Sequence, residues 1–176
     1  PYTVSEQSHA VRRLQRAAED EYGVFLVLPQ QTVTLHYERE SSDPRITQLV
    51  ALELDEFGAV TRAASVAYGR RVPAEPEQAR LWIALSEADV VNRPSPTGPY
   101  RIGVPVEIRA VELRGLPAPP LGLIAVDELR AAIAAAVEVP FEAAEEVPHM
   151  QIERRVFERQ RNFFYTDDLA EPLPLG

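Results

Sequence analysis

Apolar and polar positions alternate along most of this chain, and that period of two reads as strands. Val33, Leu35 and Tyr37 alternate with Thr32, Thr34 and His36, the pattern of a half-buried strand. Just upstream, residues 24–28 (VFLVL) form a continuous apolar run between Gly23 and Pro29, which fits a separate strand covered on both faces. Residues 10–14 carry a weaker strand pattern. Residues 46–54 place Val50, Leu52 and Leu54 on one face and end in Asp55-Glu56-Phe57-Gly58. Aspartate first and glycine fourth suit a type I turn whose glycine takes the positive φ of a bulge. Val60, Ala64, Val66 and Tyr68 then alternate back, so residues 46–69 are expected to form a hairpin. After a polar loop at 70–77, Ala79, Leu81, Ile83 and Leu85 alternate with Arg80, Trp82, Ala84 and Ser86. A Pro/Gly-rich connection at 92–99 leads into a long strand with Ile102, Val104, Val106, Ile108 and Ala110 on one face. Pro105 lacks a ladder donor and belongs at an edge or a bulge.

The period changes only once. After a linker at 115–122, Leu129, Ile133, Ala136 and Val137 form a helical stripe, with Asp127 as N-cap and Pro140 as the stop. Residues 141–149 are acidic and irregular. Residues 151–165 fit a helical stripe through Ile152, Val156 and Phe163, but Phe163, Phe164 and Tyr165 favour a strand. No solenoid-scale repeat is present. The expected fold is mainly β: an antiparallel sheet or β-sandwich-like wall of long hairpins with one short α-helix at about residues 127–138. It is read as a single β-rich domain over residues 1–176, with linkers near 92–99 and 115–122.

Composition narrows the function more than the fold. With 176 residues and 45% hydrophobic content the chain has the material for a core, despite 16 prolines. No apolar run approaches the roughly 20 residues that cross a bilayer as a helix. The chain starts at Pro1, with no basic and apolar leader pattern, and reads as a piece of a longer protein. Cysteine is absent, which removes disulfides, thiol nucleophiles and cysteine-bound zinc. Lysine is absent as well, because all 18 basic residues are arginine, so Schiff-base and P-loop chemistry are excluded. A net charge of −9 opposes nucleic acid and anionic membranes.

Several residue groups carry the side chains that chemistry needs. Glu53 with Asp55, Asp167 with Asp168 and Glu145 with Glu146 are paired carboxylates of the kind a hydrolase needs. Among 27 acidic residues such neighbours arise by chance, and Asp55 already has a turn to make. His9, His36 and His149 are scattered, without metal-ligand spacing. Ser41, Ser42 and Ser95 sit in turn-like segments without a nucleophile motif. Arg154, Arg155, Arg159 and Arg161 form a basic cluster. As a strand it places Arg155, Arg159 and Arg161 on one face, for an anion or for pairing with Glu138, Glu142, Glu145 and Glu146. Trp82 with Tyr68, Tyr100 and Phe57 is either a carbohydrate platform or a set of packing pairs. The sequence therefore assigns no catalytic, cofactor-binding or metal residue and no cofactor, and the chain is expected not to be an enzyme.

Eight stretches, in order, carry a resemblance: 11–15 (VRRLQ), 34–39 (TLHYER), 43–46 (DPRI), 52–60 (LELDEFGAV), 67–71 (AYGRR), 100–107 (YRIGVPVE), 164–169 (FYTDDL) and 172–176 (PLPLG). Together they resemble the middle/C-terminal region of the B component of bacterial ABC-type insecticidal toxin complexes, the Tc toxins. Residues 55–68 are also similar to an RHS/YD repeat, with Asp55, Gly58, Val60 and Tyr68 in comparable roles. The resemblance implies a segment between a β-propeller and RHS-type strands. It implies a non-catalytic structural and assembly role in a hollow β-shell, formed with the C component, that encloses and delivers a cytotoxic effector. The implied partners are the C component and, through the rest of the B component, the A component, with no nucleic acid and no direct membrane insertion. The implied location is secreted. Self-cleavage and toxic chemistry belong to the C component in that family, so no catalytic residue carries over. Unpaired strand edges are expected to make the chain self-associate. The alternative is a glycan- or receptor-binding β-domain of a secreted virulence protein.

Overall fold

The computed structural model describes residues 2–18, 22–38, 41–95, 97–98, 100–120, 122–142, 151–166 and 168–173. Its strands are β1 (Tyr2–Gln15), β2 (Val24–Tyr37), β3 (Arg45–Leu54), β4 (Val60–Ala67), β5 (Trp82–Arg93), β6 (Arg101–Arg114), β7 (Val137–Glu138) and β8 (Glu153–Arg161). They form one eight-stranded sheet in the order β1-β2-β3-β4-β5-β6-β8-β7. Every neighbouring pair is antiparallel except β7 with β8, which is parallel. Hairpins join consecutive strands through β6. The mainly β fold with a single short helix is therefore the one the alternation predicts.

The hairpin at 46–69 forms as expected. The Gly58 N–H bonds the Asp55 carbonyl at 3.2 Å, Gly58 has φ +88°, and the Asp55 carboxylate accepts the N–H groups of Phe57 and Ala59. A Cβ on Gly58 would lie 3.0 Å from Leu26 and Leu28, so glycine also lets this turn pack against β2.

Other expectations need correction. Residues 24–28 and 32–37 are one strand, not two, because Pro29 sits opposite His9 at an irregularity where a ladder donor is not needed. That strand is not covered on both faces: Val24, Phe25 and Val27 are exposed. The weak pattern at 10–14 belongs to the much longer β1. β5 extends through Asn92 and Arg93, beyond the start of the Pro/Gly-rich connection expected at 92–99. Pro105 lies in an interior strand at a bulge, where Asp89 pairs with Glu107 and Val90 with Pro105. Asn162 satisfies the carbonyls of Pro105 and Val106 there, at 2.8 and 2.9 Å. The bulge also resets the faces, so Glu107, Val111 and Leu113 are buried on the covered face of β6, with Arg114 buried at its end, while Ile108 is exposed.

The helix α1 spans Val126–Ala135, not 127–138. Ala125 is its N-cap, and Asp127 instead lies in the first turn and pairs with Arg130 at 3.0 Å. The helix ends at Ala136, before Pro140. The cause is that Val137 and Val139 donate to the carbonyls of Ile152 and Arg154 and so join the sheet edge. The acidic stretch at 143–149 lies outside the described residues, apart from the turn at Phe141 and Glu142.

The core lies on one sheet face. Val50, Leu52, Ala64, Val66, Ile83, Leu85, Val111 and Leu113 are covered by Ile124, Leu129, Ala132 and Ile133. Burying each such aliphatic side chain contributes about 1.5–3 kcal/mol. A polar latch fixes the cover. Fully buried Gln48 donates to the Ile124 carbonyl at 3.0 Å, Ile124 N–H donates to the Tyr68 hydroxyl at 2.8 Å, and that hydroxyl donates to Gln48.

Candidate functional site

Two mainly apolar rungs of the covered face, the first including the buried Gln48, are followed along the strands by two charged ones. Gln48, Val66, Ile83 and Leu113 lie in cross-strand register, and Val50, Ala64, Leu85, Val111 and Val156 follow. The next rung is Arg62, Glu87, Arg109 and Arg159, and the one after it Asp89, Glu107 and Arg161. The cover of α1 does not serve these carboxylates; arginines surround them instead. Glu87, 3% exposed, meets Arg154 at 2.9 Å, Arg62 at 3.2 Å and Arg109 at 3.6 Å. Glu107 meets Arg159 at 2.8 Å, and Arg161 as well, with Arg109 at 3.6 Å.

The electrostatics follow from this geometry. Hydrogen bonds from Arg159 and then Arg161 hold the Glu107 carboxyl down from 4.5 to about 2. Asp55 is lowered chiefly by Asn92, which donates to it at 2.9 Å. Asp168 is lowered by the Thr166 hydroxyl and the Ala170 N–H. Asp43 is lowered by the N–H groups of Arg71 and Val72 and by Arg70, against the opposing effect of its burial. Among the described residues, each carboxyl with a resolved shift moves down, towards permanent ionisation.

The sequence candidates separate accordingly. Glu53 pairs with Arg62 at 2.6 Å while Asp55 holds its turn, so the two do not converge. Asp167, Glu145, Glu146 and His149 lie outside the described residues. His9 and His36 are exposed, and His36 Nδ1 is 3.1 Å from the Thr3 hydroxyl. Ser95 accepts the Gly98 N–H, a turn role. Among the described residues no three His, Cys, Asp or Glu side chains are grouped to hold a metal ion, and no helix is long and apolar enough to cross a membrane.

The four arginines of β8 do pair with acids, but not on the expected face, and among the described residues their salt-bridge partners are Glu87, Glu107 and Glu112; the expected partners Glu145 and Glu146 lie outside the described residues. Ala110 faces Glu158 and Val111 faces Val156, so Phe157 is bulged out and the alternation slips by one. Arg154, Arg159 and Arg161 therefore reach Glu87 and Glu107, while Arg155 projects from the other face to Glu112 at 2.7 Å. Sequence reasoning passed over Glu87 and Glu107 as partners. Their signal was present: both continue the alternation of buried apolar residues, Ile83 and Leu85 in β5 and Val111 and Leu113 in β6.

The proposed aromatic platform also divides. Tyr68 and Trp82 line one cavity of about 360 Å³, whereas Phe57 belongs to the β3–β4 turn and Tyr100 precedes β6.

The family model for the insecticide toxin TcdB middle/C-terminal region matches residues 1–92, more than half of the chain. The chain belongs to this family. The TcdB middle/C-terminal fold is also the one seen in solved structures. A crystal structure of TcdB2–TccC3 matches 99% of the chain with a TM-score of 0.72 at 24% identity. A Photorhabdus luminescens Tc holotoxin pore carrying a mutant TccC3 matches 99% with a TM-score of 0.68 at 23% identity. The chain spans only 9% and 8% of those chains, respectively. No curated protein sequence matches it.

Proposed function

We propose that this TcdB middle/C-terminal chain is a non-catalytic structural and assembly domain of a Tc-toxin B component. It contributes strands to a hollow β-shell, made with the C component, that encloses and delivers a cytotoxic effector outside the producing cell. The A component is reached through the rest of the B component.

The observation that carries this reading is unfinished surface. The chain exposes 12310 Å², whereas a compact monomer of 19.6 kDa exposes about 8,600 Å². A sheet with one helix on one face and an unpaired β1 edge gains most by continuing into neighbouring strands. The solved structures with this fold are of TcdB2 with TccC3 and of a Tc holotoxin, which is consistent with such a neighbour. The charged rungs suit a wall, since their carboxylates are paired with arginines and the Glu107 carboxyl is held low. A hydrolytic general acid would need a raised carboxyl.

A pulldown of the folded chain against C and A components tests this. Selective capture of the C component is the expected result. Capture of neither, with strand structure verified by circular dichroism, would overturn it.

A further inference from the structure

The sheet face opposite α1 carries a groove that the shell reading does not use. Two cavities, of about 360 and 410 Å³, meet at Ala67 and Trp82. Each lies within the roughly 300–1,000 Å³ of small-ligand sites. Trp82 is 49% exposed between them, and it is the only tryptophan of the chain. The floor is shallow because Ser65, Ala67 and Ala84 are small. Each end holds an acid–base pair: Glu38 with Arg45 at one, Glu112 with Arg155 at 2.7 Å at the other. Phe157, 47% exposed, closes the far side.

We propose that this groove binds a neutral oligosaccharide, with one ring stacked on Trp82 and hydroxyls bonded to the two pairs. Charge argues against a strongly ionic ligand, because both ends mix the two signs: Glu38 and Glu77 lie among Arg45, Arg70 and Arg80 at one, with Arg70 also paired to Asp43, and Glu112 meets Arg155 at the other. Such a pair offers N–H donors beside a carboxylate acceptor. That matches hydroxyls, which both donate and accept. The largely buried pair of Glu112 and Arg155 is already oriented, so little of its side-chain freedom is lost on binding. A peptide strand fits less well: β4, β5 and β6 are interior strands whose backbone groups are spent in the sheet, leaving none on this face for the peptide backbone. The indole offers a broad, rigid, apolar face with a polar edge.

The sole tryptophan makes the site directly readable. The folded chain is titrated with maltotriose, chitotriose and lactose, and in parallel with an acidic oligosaccharide and a proline-rich peptide, following Trp82 emission. A saturable change with at least one neutral sugar is expected. Ala84→Arg, which fills the floor but keeps the reporter, should weaken that response by about tenfold or more. Trp82→Ala, read on a glycan array with labelled protein, should lose the same ligand while its circular dichroism is unchanged. No response to any neutral sugar at millimolar concentration overturns the proposal. So does a response confined to the acidic sugar or the peptide, or one that survives Ala84→Arg.

Discussion

Glu87 shows how much can hang on one side chain. It is buried in a sheet interior with Arg62, Arg109 and Arg154 gathered on its two oxygens. Replacing it removes the carboxylate that Arg154 meets and the buried one of the acids shared by Arg62, which also meets Glu53, and by Arg109, which also meets Glu107 and Asp89. Glu87→Gln should therefore destabilise the fold by about 3 kcal/mol, measured as a fall in the urea midpoint. A loss no larger than that of an exposed substitution would show the ladder to be ornamental. Glu107 gives the ladder a pH signature. Its folded carboxyl sits at about 2 rather than 4.5, so the ionised form favours the folded state. That stabilisation is fully present above the ordinary value and is lost as pH falls through the folded one. The stability gap between the native chain and Glu107→Gln should thus narrow steadily on acidification from about pH 5 to about pH 2. A constant gap would contradict the assignment. The alternation places both glutamates on the inward face, but not their partners, because the arginines that meet them come from other strands. Asp55 was legible, since its turn is local and the aspartate and glycine spacing encodes it.

Among the elements, legibility followed sequence distance. Hairpin β3–β4 closes over a few residues and matches its reading; of residues 151–165, Glu153–Arg161 form a strand, while Phe163, Phe164 and Tyr165, which favoured that reading, lie beyond it. The faces of β6 and β8 were misread because bulges at Pro105 and Phe157 shift the alternation, and a bulge is set by the partner strand. Helix α1 was placed but overrun at its C-terminal end, where pairing with β8 replaced the last turn. The β1–β2 hairpin was the largest surprise. Residues 24–29 pair with β1 but not with β3, so this half of the hairpin runs past the sheet as a two-stranded ribbon. It carries Val11, Leu14, Val24, Phe25 and Val27 in exposed positions. A ribbon with open edges and apolar side chains invites association. The chain should self-associate with rising concentration in light scattering, and Phe25→Lys with Val27→Lys should suppress this while leaving the circular dichroism unchanged. Equal association by the double variant would place the contact elsewhere.

At the scale of the whole molecule, the proposed wall role rests on one open sheet. One sheet stands largely uncovered, its core confined to the strip beneath α1 and Ile124. The order of resembling stretches carried the family, while the amount of open surface could be seen only once the strands were assembled. What the open edges meet is the central question. Hydrogen exchange of the β1 amides, compared between this chain alone and the full B component bound to its C component, answers it most directly. The account predicts that the outward amides of β1, and those of residues 24–30 that face away from it, exchange readily in the isolated chain and become strongly protected in the complex. Equally fast exchange in both would contradict it.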